Sequence, residues 1–140
     1  MNRVFIILVV FTSFYLCNIS GFAQKSLNLD FEIGDHGGMP FNWFGGGTGY
    51  KISLDNSEKH LGQSSLKIEM TDVWNEKSFG HISTTLPIET FAGKNIEFKG
   101  WIKTKEVKNG YVGLWFMVMG ENNKMLGYDN MNDRVLKATY

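Results

Sequence analysis

The chain has 140 residues, of which 43% are hydrophobic and 14% aromatic, and its 14 basic residues are matched by 14 acidic ones. This charge balance predicts no general attraction to nucleic acid or to anionic membranes, and the length suits one hydrophobic core. Cys17 is the only cysteine, so we expect a fold that no disulfide stabilises.

Residues 1–23 have the pattern of a signal peptide. Arg3 precedes a long apolar run that ends near Cys17, and Gly21 and Ala23 are the small residues that a leader peptidase recognises. The run is shorter than the ~20 residues that a transmembrane helix needs. We therefore expect cleavage after Ala23 and a secreted or periplasmic protein, of a Gram-negative bacterium.

The remaining residues, 24–140, alternate apolar and polar residues in short segments separated by clusters of Gly, Asn, Asp and Ser. No segment has apolar residues at helical spacing over ten or more positions. The pattern predicts a single all-β domain, an antiparallel sandwich. The glycine-rich connection from Glu32 to Gly49 is predicted to be irregular. The first four predicted strands are Leu27–Phe31, Tyr50–Leu54, Ser65–Met70 and Gly80–Leu86.

Residues 95–120 are predicted to form one long β-hairpin with aromatic side chains on both faces. A three-residue loop, Lys108 to Gly110 with Gly110 in the left-handed conformation, separates apolar from cationic residues. The predicted core face carries Ile96, Phe98, Gly100, Ile102, Thr104, Val112, Leu114, Phe116 and Val118. The other face carries Trp101, Lys103, Lys105, Val107, Tyr111, Gly113, Trp115, Met117 and Met119.

The second face of this hairpin is the candidate ligand-binding surface. Trp101, Tyr111 and Trp115 offer flat apolar platforms that suit sugar rings, and Lys103 can donate hydrogen bonds to hydroxyl groups. The alternative is that further strands or a neighbouring domain cover these aromatics as packing residues. Two methionines on the same face favour this alternative, because they extend the apolar area beyond what a sugar platform needs.

Nothing in the sequence predicts an active site. A Gly-x-Ser-x-Gly elbow is absent, and residues 24–140 contain no thiol nucleophile. The carboxylates show no spacing that forces two of them around a glycosidic bond. His36, His60 and His81 lack the spacing of a zinc site. We therefore expect no enzymatic activity from this chain, with any catalytic domain beyond Tyr140.

A family resemblance rests on several segments: the opening NLDFE, MPFNWFGGGTGY, GQSSLKIEM, and FKGWIKTKEVKNGYVGLW followed by GYDNMNDR. Together they resemble the galactose-binding-like, carbohydrate-binding-module-like β-sandwich found at the N-terminus of secreted bacterial hydrolases. In those proteins the sandwich precedes a catalytic region of the tail-specific serine peptidase or erythromycin-esterase type. The resemblance implies a jelly-roll-type antiparallel sandwich in which Glu32 helps to hold a structural calcium ion, with no other cofactor.

The chain ends in the strand-compatible run DRVLKATY, where the family continues with further strands. We therefore expect a module, residues 24–140, that lacks its C-terminal strands. The predicted function is a non-catalytic accessory module of a secreted bacterial protein, either structural and docking or carbohydrate-binding. The alternative is the N-terminal fragment of a secreted hydrolase. The predicted partners are a glycan or a neighbouring catalytic domain, with no nucleic acid and, after leader removal, no membrane.

Overall fold

The computed structural model of the protein describes the backbone of residues 5–9, 27–71 and 75–138, and the side chains of residues 27–71 and 75–137. Within these ranges the fold is all-β. Leu27 is helical, and the helical elements that lie wholly within the ranges are one four-residue helix and one 3-10 turn, Glu121–Asn123. The elements are β1 (Phe5–Val9), β2 (Phe44–Thr48), β3 (Tyr50–Asp55), β4 (Ser65–Met70), β5 (Phe79–Ser83), α1 (Ile88–Phe91), β6 (Trp101–Lys105), β7 (Val107–Val112), β8 (Phe116–Met119), β9 (Met125–Asp129) and β10 (Leu136–Ala138). The all-β prediction is confirmed.

The largest sheet has four antiparallel strands in the order β3, β4, β1, β6. Three antiparallel two-stranded sheets accompany it, β2 with β5, β7 with β10, and β8 with β9. No helix in the described part of the chain is long and apolar enough to cross a membrane.

The core lies against one face of the four-stranded sheet. Leu66 and Ile68 of β4 are buried, while Lys67 and Glu69 alternate with them on the other face and form an ion pair at 3.0 Å. Each fully buried side chain of this size contributes about 1.5–3 kcal/mol. The predicted strands around β3 and β4 are thus confirmed. The buried cluster consists of Phe31, Leu54, Leu66, Ile68 and Ile82, with Trp43, Tyr50, Ile52 and Phe98 packed against it.

The predicted strand Leu27–Phe31 is wrong, because this segment forms a turn around the buried side chain of Asn28. The Asn28 amide nitrogen donates hydrogen bonds of 2.8 Å to the carbonyls of Ile33 and Phe41, and its oxygen accepts the Ile33 amide at 2.9 Å. Asn28 and Phe31 both have positive φ, at 51° and 59°. Such backbone angles exclude an extended strand, and asparagine tolerates them better than most residues.

The predicted irregular connection from Glu32 to Gly49 contains strand β2 instead. Its glycines permit pairing with β5 at close range, since a Cβ on Gly45 would lie 2.1 Å from the carbonyl oxygen of His81. A Cβ on Gly47 would lie 1.7 Å from the carbonyl oxygen of Phe79. The glycines that suggested a loop are therefore what allows this strand to form.

The predicted hairpin over residues 95–120 is also wrong. β6 pairs with β1, β7 pairs with β10, and Glu106 between β6 and β7 has a φ of 56°. The face assignment holds within β6, where Thr104 is buried and Trp101 is exposed. It fails further along the chain, because Val107 is buried and Val118 is exposed. The alternation of apolar and polar residues predicts the two faces of β6 correctly. It does not predict that β6 pairs with β1 rather than with the strand that follows it.

Residues of the predicted leader enter the sheet. Phe5–Val9 forms β1, the strand between β4 and β6. The rest of the leader and the predicted cleavage site after Ala23 lie outside the described residues, as does Tyr140.

Candidate functional site: an aromatic cleft

An open cleft of about 700 Å³ lies between the loop before β6, the start of β8 and the loop after β9. This volume falls in the range of small-molecule sites. We call it the aromatic cleft and define it by the residues that matter for its chemistry, which are Phe98, Trp101, Trp115, Phe116, Asp129 and Arg134.

The charged side of the aromatic cleft is built by a turn after β9. Asp129 Oδ1 accepts a hydrogen bond of 2.9 Å from the backbone amide of Met131. The Arg134 Nη2 donates to both oxygens of the same carboxylate, at 3.0 Å to Oδ1 and 2.7 Å to Oδ2. Arg134 also contacts Asp133 at 2.9 Å. The Met131 amide and the Arg134 guanidinium lower the pKa of Asp129, and the Asp129 carboxylate raises that of Arg134. The turn therefore holds an arginine in one place beside aromatic walls.

Trp115 is held at the cleft by the same turn. Its ring lies tilted against Tyr128 at 6.5 Å between centroids. The amide of the preceding residue, Leu114, is 3.2 Å from the Met131 sulfur. A Cβ on Gly113 would lie 3.1 Å from the Asn130 carbonyl oxygen, so a glycine there lets the two segments approach closely.

Trp101 has one ring face covered and the rest open. The imidazole of His60 stacks on it at 4.3 Å with an interplanar angle of 12°, while 56% of the residue remains exposed. A tryptophan ring that is already stacked on one face loses little conformational entropy when a ligand binds to its other face.

The structure brings together two of the four residues predicted to bind a ligand. Trp101 and Trp115 both line the aromatic cleft. Tyr111 lies outside its lining, with its hydroxyl 3.5 Å from the Asn130 amide nitrogen. Lys103 is on the outer face of β6, where it forms an ion pair with Glu58 at 2.5 Å. The loss of the predicted hairpin explains why the four do not share one surface.

Glu32, the predicted calcium ligand, contacts backbone amides. Its carboxylate accepts hydrogen bonds from Gln63 at 2.9 and 3.1 Å and from Ser64 at 3.2 Å. The described residues include no group of three or more His, Cys, Asp or Glu that could hold a metal ion. A calcium ion at Glu32 stays a prediction, and the observed role of this carboxylate is to hold the loop before β4.

The cleft residues that the sequence did not indicate as ligand-binding are Phe98, Phe116, Asp129 and Arg134. The run Asp-Asn-Met-Asn-Asp before Arg134 is rich in turn formers, which is the signal that could have pointed to a structured loop. Nothing local could have shown that this loop meets Trp115, because the two are joined through the β8–β9 pairing.

The chain matches no protein-family model and no solved structure. Among curated proteins it is similar to the uncharacterized HTH-type transcriptional regulator YbfP of Bacillus subtilis (strain 168). The two sequences are 26% identical over 90 residues, which make up 64% of this chain and 30% of YbfP. The match thus spans less than a third of that regulator's length.

This similarity overturns the function predicted from the sequence. The relative is a transcriptional regulator, whereas the sequence predicted a secreted accessory module or the fragment of a secreted hydrolase. It also overturns the predicted partners, a glycan or a catalytic domain with nucleic acid excluded. The prediction was wrong because it relied on sandwich-type residues and on an average charge. Neither property reports what kind of protein a β-rich region belongs to.

Proposed function

We propose that this chain is a regulatory module of a transcriptional regulator and that its aromatic cleft binds a small effector molecule. The observation that carries the proposal is the cleft itself, in which two tryptophans lie beside a fixed arginine. Pockets with aromatic walls and a few convergent polar groups are typical small-molecule sites. The similarity to YbfP supports the regulatory context.

The proposal assigns effector recognition, rather than DNA contact, to the described residues. The helical elements that lie wholly among them are four and three residues long, and a helix-turn-helix needs two full helices. The residues outside the described backbone are far fewer than the 90 that match YbfP, so most of the match lies in β-rich structure. In this proposal the described residues bind the effector, another part of the regulator contacts the DNA, and the cleft controls that contact.

The chemistry of the aromatic cleft favours an effector with a flat apolar ring and no net charge. The charged residues of its lining occur as opposed pairs, Asp129 with Arg134 and Glu97 with Lys99 at 2.9 Å. A strongly charged molecule would have to displace one of these partners. An uncharged or zwitterionic ring could stack on Trp115 and accept a hydrogen bond from the remaining donors of Arg134.

For the arrangement of the strands we propose a jelly-roll-type, galactose-binding-like sandwich. The support is a core packed on one face of a four-stranded antiparallel sheet, with smaller antiparallel sheets around it. An experimental structure of the full chain would test this arrangement by the order of its strands.

Effector binding can be measured by isothermal titration calorimetry of the full chain against tryptophan, nicotinamide and adenine, three flat compounds without net charge near pH 7. We expect at least one to bind, and Trp115→Ala to weaken it about tenfold or more, since stacking contributes about 1–3 kcal/mol. Tyr111→Ala is the matched control, because it removes an exposed aromatic outside the cleft. An equal loss of affinity in the two variants would show that the effector does not bind in the aromatic cleft.

The regulatory part of the proposal needs a measurement in cells. We expect deletion of the gene and the Trp115→Ala variant to change the abundance of a common set of transcripts in the native host, while Tyr111→Ala leaves that set unchanged. RNA sequencing of the three strains beside the parent makes the comparison. An unchanged transcriptome in the deletion strain would refute a regulatory function.

A further inference from the structure

One of the two inner positions of the four-stranded sheet is filled by β1, a strand from the N-terminal end of the chain. β4 and β6 are each antiparallel to β1 and therefore run parallel to one another, with Phe5–Val9 between them. Residues 10–26 separate this strand from the next described part of the chain. The inner strand β1 of this sheet thus comes from the N-terminal segment that also has the pattern of a leader.

The register gives β1 one apolar face and one face that lies among charged residues. Position 6 is opposite Ile68 and Thr104, which are 6% and 1% exposed, and position 8 is opposite Leu66, which is fully buried. Position 7 is opposite Lys67 and Lys103. A strand that suits both faces needs apolar residues at positions 6 and 8 only.

The two strands on either side of β1, which are β4 and β6, are linked by contacts that do not involve β1. Glu58, in the loop between β3 and β4, forms the ion pair with Lys103 of β6. His60 of the same loop stacks on Trp101. The hydroxyl of Ser65 donates a hydrogen bond of 2.5 Å to the Glu58 carbonyl and fixes the loop to β4. The separation of β4 from β6 is therefore set by the domain as well as by the inserted strand.

We propose that the gap between β4 and β6 is a strand-acceptor site and that its occupant is the chain's own N-terminal segment. Residues 5–9 are then required for the sheet to fold, and removal of residues 1–23 removes the inner strand β1. The exposed inner edges of β4 and β6 would each present a row of unpaired backbone groups, which is the condition for binding an added strand. Retention of the N-terminus and folding of the sheet are coupled in this way.

Two neighbouring substitutions in the full chain test the register. Leu8→Glu places a carboxylate opposite Leu66 and Ile102, and we expect it to lower the thermal midpoint by more than about 10 °C. Ile7→Glu places the same carboxylate between Lys67 and Lys103, and we expect an unchanged or higher midpoint. Both changes interrupt the apolar run equally, so an effect on leader recognition would be the same for both. Equal melting of the two variants would overturn the proposal.

Cross-linking decides the matter even if Leu8→Glu does not fold. In a Cys17→Ser background, Ile7→Cys with Lys67→Cys joins two directly opposed positions, whose Cα separation in an antiparallel pair suits a disulfide. Ile7→Cys with Glu69→Cys is the control, displaced by two residues on the same face. We expect oxidation to cross-link the first pair selectively, as read by mass spectrometry of chains that retain Met1. Equal cross-linking, or a chain beginning at Gln24 that melts like the full chain, would refute an N-terminal occupant.

Discussion

Glu32 and Gly62 lie so close that a side chain at residue 62 would have to displace the Glu32 carboxylate. A Cβ built on Gly62 would be 2.1 Å from the Glu32 Oε1, and the same oxygen accepts hydrogen bonds from the amides of Gln63 and Ser64. Glu32 thereby ties the turn after Phe31 to the loop before β4, across 31 residues of sequence. Charge-assisted hydrogen bonds of this kind are about twice as strong as neutral ones.

Gly62→Ala should destabilise the protein for two reasons. The residue has a φ of 75°, which costs an alanine about 1–2 kcal/mol, and its Cβ would displace the Glu32 carboxylate from its amide donors. Gly93→Ala separates the two effects, because Gly93 has a φ of 71° with open space around it. We expect Gly62→Ala to lower the free energy of unfolding by about 1–3 kcal/mol more than Gly93→Ala, measured by urea denaturation. In a Glu32→Ala background this difference should largely disappear, and its persistence would contradict the explanation.

A second matched pair tests the close pairing of β2 with β5. Gly45→Ala would bring a Cβ against the His81 carbonyl oxygen, whereas Gly46→Ala points into open space in the same strand. We expect Gly45→Ala to cost about 3 kcal/mol, at the upper end for overpacking, because the obstructing atom is backbone. Gly46→Ala should be neutral or stabilising by about 0.4–1 kcal/mol. Similar thermal midpoints for the two variants would mean that β2 does not pair in this register.

Asn28 should be among the most sensitive polar positions. Asn28→Ala removes the side-chain partner of the Ile33 amide and of the Phe41 carbonyl, while the Ile33 carbonyl keeps the Phe41 amide as a donor at 2.8 Å. Ile33 and Phe41 are themselves exposed, so water can partly replace the lost amide group, and we expect a loss of about 1–3 kcal/mol in chemical denaturation. Asn122→Ala is the control, since Asn122 is exposed and has a similar φ of 56°. A loss no larger than that of Asn122→Ala would show that the backbone angle, not the hydrogen bonds, makes Asn28 important.

The turn beside the aromatic cleft should open at acid pH. The pKa of Asp129 lies below its ordinary 3.8, because the Met131 amide and the Arg134 guanidinium stabilise the carboxylate. A lowered pKa contributes stability that is present above pH 3.8 and is lost as the pH falls through the folded-state value. The Met131 amide shift, followed by NMR, should therefore move with a midpoint below 3.8. Asp129→Asn should abolish the transition and Asp133→Asn should keep it. A midpoint at or above 3.8 would contradict the lowered pKa.

The strands that the sequence predicted best are those whose alternation is complete within the strand. Ser65–Met70 was predicted with the bounds that the structure gives to β4, and the predicted Tyr50–Leu54 lacks only the last residue of β3. Their apolar residues recur with period two and are buried or half-buried, so the local pattern predicts these strands. The same reasoning gave the correct faces within β6, where Lys103 is exposed and Thr104 is buried.

The predictions that failed depended on contacts between distant segments. Residues 27–31 alternate like a strand, yet Asn28 reaches Phe41 and imposes a turn. The glycines of β2 are typical of a loop in sequence, but in the structure they allow the backbone of β5 to approach closely. The grouping of the four candidate ligand-binding residues depends on the same kind of contact, because the predicted hairpin puts Tyr111 and Lys103 beside the tryptophans, whereas in the structure only Trp101 and Trp115 line the cleft.

The sequence by itself determined the all-β class and the inner and outer faces of β3, β4 and β6, because alternation is a property of the extended backbone and needs no partner. Only the tertiary structure decided which strands pair, that Trp101 and Trp115 meet in one cleft, and that Arg134 lies beside them. These outcomes depend on hydrogen bonding and close packing between segments tens of residues apart. Strand edges of similar pattern offer equivalent local choices, and the packing of the whole chain selects among them.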